Sequence, residues 1–337
     1  MGIVVIGAAF VDIKGFPQDM YIPDGRNVGR IEYIHGGVSR NVVEDIANVE
    51  LRPTYVGIVD DTPLGQDVLK KLQNHKVNTD YVLVLPDGMG TWLAVFDNNG
   101  DVAGSISKRP NMLPLVDLLQ ENGDEIFEKA HSVVIEVDLD KEIVKEIISL
   151  AQKHHVKLFG LVSNMSIAAE RRDFLQKFDC FICNQLEAGL LFLEDYREVS
   201  PQELQKILLE NIQRAKIPSM VVTMGAKGAV FASCTGEQGF CPAKNVQVKD
   251  TTGAGDAFCA GVSMGLTYGK TLSQSVEIGT KLAAAVITSS ENVCPRFLPE
   301  ELGLEMCPAG SARSQFRTGL SANRYFPDPP GIVTAVQ

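Results

Sequence analysis

The stretch "KDTTGAGDAFCAGV", Lys249 to Val262, decides how the rest of the chain is read. Gly253 and Gly255 permit tight backbone geometry, while Ala257, Phe258, Ala260 and Val262 suit the start of a helix. Backbone N–H groups at such a start converge on one point, where the helix dipole favours an anion. Asp256 falls in the first turn, beside that anion cradle. A carboxylate is unwelcome there if the anion merely rests, and useful if the anion is in transit. It can orient and deprotonate an attacking hydroxyl while Gly253, Ala254 and Gly255 hold charge on a transferring phosphoryl group through their N–H donors. A plain helix start with a favourable first-turn aspartate gives the same pattern. The stretch alone does not choose between them.

Upstream, apolar runs alternate with helical patterns. Strands are expected at Ile3–Ala9, Thr54–Val59, Ser132–Val137, Lys157–Val162, Cys180–Cys183 and Ser219–Met224. Between them, helical spacing covers 39–49 (with Ser39 as a candidate cap), Pro63–His75, Lys141–His154, Ile167–Phe178, Leu186–Leu193 and Pro201–Ala215. Strands alternating with helices predict a doubly wound α/β fold: a mostly parallel sheet with helices on both faces. Two segments, about 13–36 and 90–107, alternate polar and apolar residues instead, and the second holds the turn "DNNGD". They predict a small antiparallel β lid, which would cover a site or form a homodimer interface. The domain is expected to span 1–304. Residues 305–337, rich in Ser, Gly, Pro and Arg without periodicity, read as a disordered or appended tail.

The balance of 31 basic and 42 acidic residues, a net charge of −11, speaks against a nucleic-acid groove or an anionic membrane surface. The apolar N-terminus is short, lacks a basic lead and carries Asp12, so a cytoplasmic protein is expected. Seven scattered cysteines suggest reduced thiols, and Cys180-x-x-Cys183 lacks the second pair that a zinc site needs. Three further motif matches fail on context. "GLTYGKT" (Gly265–Thr271) is one residue short of a Walker A loop and follows no strand. "GVSMG" around Ser263 lies in a helical run, where a nucleophile elbow must follow a strand. "GAGDAF" lacks the last glycine of a dinucleotide fingerprint.

"DTTGAGDAFCAGV" is similar, position for position, to the second signature of the PfkB or ribokinase-like sugar kinases, and the resemblance runs to about Leu304. It implies that Asp256 is the catalytic base. "GGVSRN" resembles the first signature, implying substrate contacts from Gly36, Gly37 and Asn41, joined by Asp12 at the end of the first strand. "NQLE" resembles the N-x-x-E motif, which implies Asn184 at the nucleotide and Glu187 acting, indirectly, on magnesium. "TMGAKGAVF" resembles the nucleotide-binding turn through Thr223, Gly225 and Gly228. The implied cofactors are ATP and Mg2+. Potassium is the further ion suggested at Asp250 and Thr252, with a turn held by local hydrogen bonds as the alternative.

Within the family, "NVGRI" (Asn27–Ile31), "VDIKGF" and "ENVCPRFLPE" (Glu291–Glu300) most resemble the pseudouridine-phosphorylating subgroup. That implies transfer of the γ-phosphoryl group of ATP to a ribosyl 5′-hydroxyl. Ser39, Val43, Gly160, Leu161 and Arg109 depart from that subgroup's pattern. A kinase of ribose, a ketose, 2-keto-3-deoxygluconate or another nucleoside is the alternative, and a catalytically silent binding protein is a further one.

Overall fold

The structure is a computed structural model that describes residues 1–164, 170 and 172–304. In chain order, its strands are β1 (Ile3–Ile6), β2 (Phe10–Pro17), β3 (Gly29–Gly36), β4 (Thr54–Val59), β5 (Asn78–Val84), β6 (Gly90–Phe96) and β7 (Val102–Lys108). They continue as β8 (Ser132–Glu136), β9 (Lys157–Leu161), β10 (Cys180–Asn184), β11 (Ser219–Thr223), β12 (Gly228–Ser233) and β13 (Gln238–Pro242). The helices are α1 (Val38–Asn48), α2 (Pro63–Asn74), α3 (Pro114–Glu128), α4 (Lys141–His154), a single turn α5 (Arg172–Leu175), α6 (Gln185–Phe192), α7 (Pro201–Ala215), α8 (Ala254–Thr267) and α9 (Leu272–Ile287).

Nine strands form the central sheet in the order β13-β12-β11-β10-β9-β8-β1-β4-β5, all running the same way except β12, which is antiparallel to both β11 and β13. Residues alternate between the faces with the strand period of two. Val4 and Ile6 join the core under α3, α4, α6 and α7, whereas Ile3 and Val5 join the core under α1, α2, α8 and α9. This is the doubly wound sheet with two covered faces that the sequence predicts. Among the described residues no helix is long and apolar enough to cross a membrane.

The lid is a separate four-stranded sheet, β3-β2-β6-β7. Its outer pairs are antiparallel, but β2 and β6 in the middle run parallel, so the lid is mixed, not purely antiparallel as expected. Its first strand begins at Phe10, and Asp12 therefore lies within β2 instead of at the end of β1. The "DNNGD" turn forms as predicted: Asp97 Oδ1 accepts from the N–H groups of Asn99 (2.8 Å) and Asp101 (2.9 Å).

α3 goes beyond the sequence expectation. Asn122-Gly123 at its centre is more typical of a turn, but a side chain at Gly123 would meet Leu150 at 2.5 Å, so the glycine lets α3 lie close against α4. Ser39 does not cap α1. Gly37 holds that position, and the buried Ser39 hydroxyl donates to Ile6 O at 3.3 Å. The expected helix Ile167–Phe178 begins outside the described residues, as do the tail 305–337 and Cys307. Cys180 and Cys183 are buried in β10, where burial pushes the Cys180 thiol up to about 12. Ser263 is fully enclosed within α8.

Candidate active site

The two glycine-bearing stretches, more than two hundred residues apart in sequence, meet in space. α1 begins directly after Gly36-Gly37, with Asn41 in its first turns; α8 begins after Gly253, with Asp256 in its first turn. Asn41 Nδ2 donates to Asp256 Oδ2 at 2.6 Å. Burial pushes the Asp256 carboxyl up to about 6; the Asn41 hydrogen bond and the Arg40 charge oppose that shift, and Asp12 adds to it. A carboxyl poised there is ionised at neutral pH and still basic enough to accept a proton from a hydroxyl.

Both turns need glycine. Gly37 has φ 95°, and a side chain there would strike Ala8 O at 2.7 Å. Gly253 has φ 80°, and its absent Cβ would lie 1.9 Å from Asn292 O. Gly36 serves a different purpose. A Cβ there would sit 2.6 Å from Asp12 Oδ1, so the Asp12 carboxylate rests against the bare backbone at the mouth of the first turn. Burial raises the Asp12 pKa, against the pull of Lys14 and Arg40. Gly255 is open: nothing lies within 4 Å of where its side chain would project. The first N–H groups of α8 have no carbonyl one turn back to bond, although Ala254 N–H makes a long contact of 3.3 Å with Thr251 O.

On the other side of Gly255 a cavity of about 520 Å³ opens between the β12 edge and α9. Thr223, Gly225 and Gly228 line it, together with Ala254, Gly255 and Ala283. Gly225 (φ 57°) and Gly228 (φ 118°) make the sharp turn from β11 into β12, and a side chain at Gly228 would meet Cys241 O at 2.1 Å. The start of α8 thus separates this cavity from the Asp12–Asn41–Asp256 cluster.

Asn184 and Glu187 form a capping box at the start of α6. Asn184 Oδ1 accepts from Glu187 N at 2.9 Å, and Glu187 Oε2 accepts from Asn184 N at 2.7 Å. Asn184 ends β10 opposite Thr223 of β11, which sets it beside the strand that carries the nucleotide-turn motif. Burial raises the Glu187 pKa; the Asn184 N–H opposes this and the Asp138 charge reinforces it. The cap takes Oε2 and leaves Oε1 for other partners. Among the described residues no group of three or more His, Cys, Asp or Glu is arranged to hold a metal. Asp250 and Thr252 are joined to each other at the turn before α8. Asp250 Oδ1 accepts from Thr252 N and Oγ1, both at 2.9 Å, the local hydrogen bonds of a turn. Partial burial would raise that carboxyl, but these bonds hold it below its ordinary value.

Two residues with no role assigned from sequence complete the cluster. Arg40 is fully buried and donates to His35 O, to Asn41 Oδ1 and to Glu44. Burial alone would raise Glu44, but Arg40 and Lys71 outweigh it and hold that carboxyl below its usual value. Asn292 donates through Nδ2 to His35 O (2.7 Å) and Asn41 Oδ1 (3.3 Å). Both sit inside quoted motifs, "GGVSRN" and "ENVCPRFLPE". Nothing in their spacing indicates that they would share two acceptors, His35 O and Asn41 Oδ1.

The pfkB family carbohydrate kinase pattern matches residues 2–294. The guanosine-inosine kinase of Exiguobacterium acetylicum is 36% identical over 292 residues, covering 86% of this chain and 95% of that protein. The pseudouridine kinase of Escherichia coli (strain K12) is 24% identical over 276 residues, covering 81% and 86%. The fold agrees with that of Arabidopsis thaliana ribokinase complexed with ribose and ATP, at a TM-score of 0.76 and 18% identity over 90% of this chain and 99% of that one. With a family pattern spanning most of its length and a relative at 36% identity, this chain belongs to the pfkB family of carbohydrate kinases, phosphotransferases that act on hydroxyl groups.

Proposed function

We propose that the protein is an ATP-dependent kinase of ribonucleosides, transferring the γ-phosphoryl group to the ribosyl 5′-hydroxyl. The observation that carries this reading is the junction at the start of α8. Asp256 faces Asn41 and the Asp12–Gly36 pair on one side, and Gly255 borders the large cavity on the other. A sugar held by Asp12, Gly36, Gly37 and Asn41 would present a hydroxyl to Asp256, which takes its proton as it attacks phosphorus. Gly253, Ala254 and Gly255 stabilise charge on the phosphoryl group in flight through the helix N-terminus. ATP occupies the cavity lined by Thr223, Gly225 and Gly228. Magnesium neutralises phosphate charge when bound, and Glu187 Oε1 together with Asn184 would act on its hydration shell. Potassium at Asp250 and Thr252 stays an open addition to this reading: the turn engages Asp250 Oδ1 and leaves Oδ2 outside those two bonds.

For the acceptor, the relative at 36% identity is named for guanosine and inosine and the one at 24% for pseudouridine. The higher identity favours a purine nucleoside. Pseudouridine, expected from the "NVGRI" and "ENVCPRFLPE" stretches, stands as the second reading. ADP release with Mg-ATP against guanosine, inosine, pseudouridine, uridine, ribose and 2-keto-3-deoxygluconate tests both. Preference for guanosine and inosine supports the first and preference for pseudouridine the second. Turnover of ribose or the sugar acid alone would sink the nucleoside assignment and keep the kinase.

A further inference from the structure

Lys14 sits on β2, two residues after Asp12 and on the same face of the lid. It is 7% exposed and makes no side-chain hydrogen bond or ion pair among the described residues. Its cross-strand neighbours explain why. On β3 it faces Glu32, the natural partner for a lysine, but Glu32 Oε1 accepts from Arg30 Nε at 2.7 Å. Arg30 is held in turn over the Phe16 ring, 4.2 Å from its centre. On β6 the neighbour is Ala94, fully buried and without a polar side chain. A buried ammonium left without a partner is costly, and a lysine that served only the lid would take Glu32.

Two carboxyls locate the charge. Burial raises Asp12, and Lys14 leads the charges that oppose it. Burial acts on Asp250 too, where Lys14 joins the hydrogen bonds of the turn in holding the carboxyl down. Asp12 belongs to the candidate sugar site and acts on Asp256, whereas Asp250 stands three residues before Gly253, where α8 is about to begin. The ammonium therefore lies between the acceptor side of the cleft and the N–H groups of α8, with neither carboxylate bonded to it.

We propose that Lys14 is a catalytic residue of the lid, whose ammonium binds the phosphoryl group in flight and the phosphate ester it becomes. The inference rests on phosphoryl transfer at the start of α8, as proposed above, and not on the choice of base. In the transfer, the bond from the acceptor oxygen to phosphorus forms as the bond to the ADP oxygen breaks, and Asp256 takes the hydroxyl proton. Lys14 stays protonated throughout. It sets a full positive charge on one side of the phosphoryl oxygens while the helix N-terminus holds the other. An anion is also what a desolvated, unpaired ammonium binds most strongly.

The test compares the wild type with Lys14→Met, which keeps an unbranched apolar side chain and removes the charge. The value of kcat is expected to fall by about 10²- to 10³-fold, the scale of losing one donor to a developing anion, with the acceptor KM within a few-fold. Calorimetric titration with guanosine and guanosine 5′-monophosphate should show a loss of roughly 10-fold or more for the monophosphate alone. If the wild type turns over another acceptor, that acceptor and its phosphate ester take their place. The melting temperature should hold or rise, because an unpaired buried charge is gone. Lys14→Gln carries the test if Lys14→Met does not fold. An unchanged kcat overturns the proposal and leaves Lys14 as a counter-charge for Asp12 and Asp250. Equal losses for guanosine and its monophosphate also overturn it, placing the ammonium on the sugar. So does a lower kcat with monophosphate affinity unchanged, since a contact to the phosphoryl group persists in the product. Asp256→Asn, run alongside, separates the two readings. If that variant keeps full turnover, the placement of the reaction at α8 fails; if it loses turnover and Lys14→Met does not, this inference alone fails.

Discussion

Asn41 and Asp256, 215 residues apart, are joined by a 2.6 Å hydrogen bond from amide to carboxylate. The amide cannot turn over without loss, because its Oδ1 already accepts from Arg40 and Asn292. One end of Asn41 is thus fixed by two donors, and the other is committed to Asp256. The bond favours the ionised carboxylate and opposes the burial that drives its pKa up.

Replacing Asp256 with asparagine removes the base and keeps the shape. Turnover is expected to fall by at least ~100-fold, the ordinary scale for loss of a general base, while ATP affinity stays within a few-fold. Steady-state kinetics beside a fluorescent-nucleotide titration would check this. Unchanged turnover would rule out Asp256 as the base.

The pH profile follows from the same carboxyl. With a pKa of about 6, kcat/KM should rise through that region and level off above it. Asn41→Leu removes a group that lowers this pKa, so the rising limb moves to higher pH. Stability carries the opposite sign. The folded pKa is raised above the ordinary aspartate value of 3.8, so this group's contribution is fully present below that value and is lost as pH rises through about 6. Melting curves of the wild type and Asp256→Asn should therefore nearly coincide near pH 4, and at pH 8 the variant should be the more stable.

The glycines of the same loop should separate cleanly. Gly253→Ala forces a side chain into φ 80° and against Asn292 O, a backbone strain on the order of 1–3 kcal/mol before any clash. A clear fall in melting temperature is expected. Gly255→Ala meets nothing within 4 Å, so its fold should be intact. Its added methyl narrows the approach to the start of α8, and the expected loss is in nucleotide KM and turnover. A destabilised Gly255→Ala of normal affinity would contradict this division.

How far the sequence carries depends on the range of the forces involved. The buried strands were legible because their apolar runs sit between helical periods, and Asp256 because a glycine pair opening a helix is a local feature. The parallel pairing of β2 with β6 was not. It joins residues about eighty apart, and a period of two fixes a face without naming a neighbour. Arg40 was hidden for a different reason. An arginine is expected at the surface, and its burial becomes affordable only once His35 O, Asn41 and Glu44 converge around it. The lid's position as a second sheet was readable from alternation, whereas Asn292 closing onto Asn41 required the fold itself.

Asn184 and Glu187 combine two roles that substitution can divide. As a capping box they hold the start of α6, and Asn184→Ala should cost about 1 kcal/mol of stability whatever the protein does. Glu187→Gln keeps an oxygen that can accept from Asn184 N, so the cap survives and the melting temperature should change little. What it removes is the charge. If Glu187 acts on a magnesium ion through water, this variant needs several-fold more Mg2+ for half-maximal rate, and saturating Mg2+ restores most of the turnover. Titrating Mg2+ at fixed ATP in both variants separates the roles. A Glu187→Gln enzyme with the wild-type Mg2+ dependence would leave the motif as a helix cap alone.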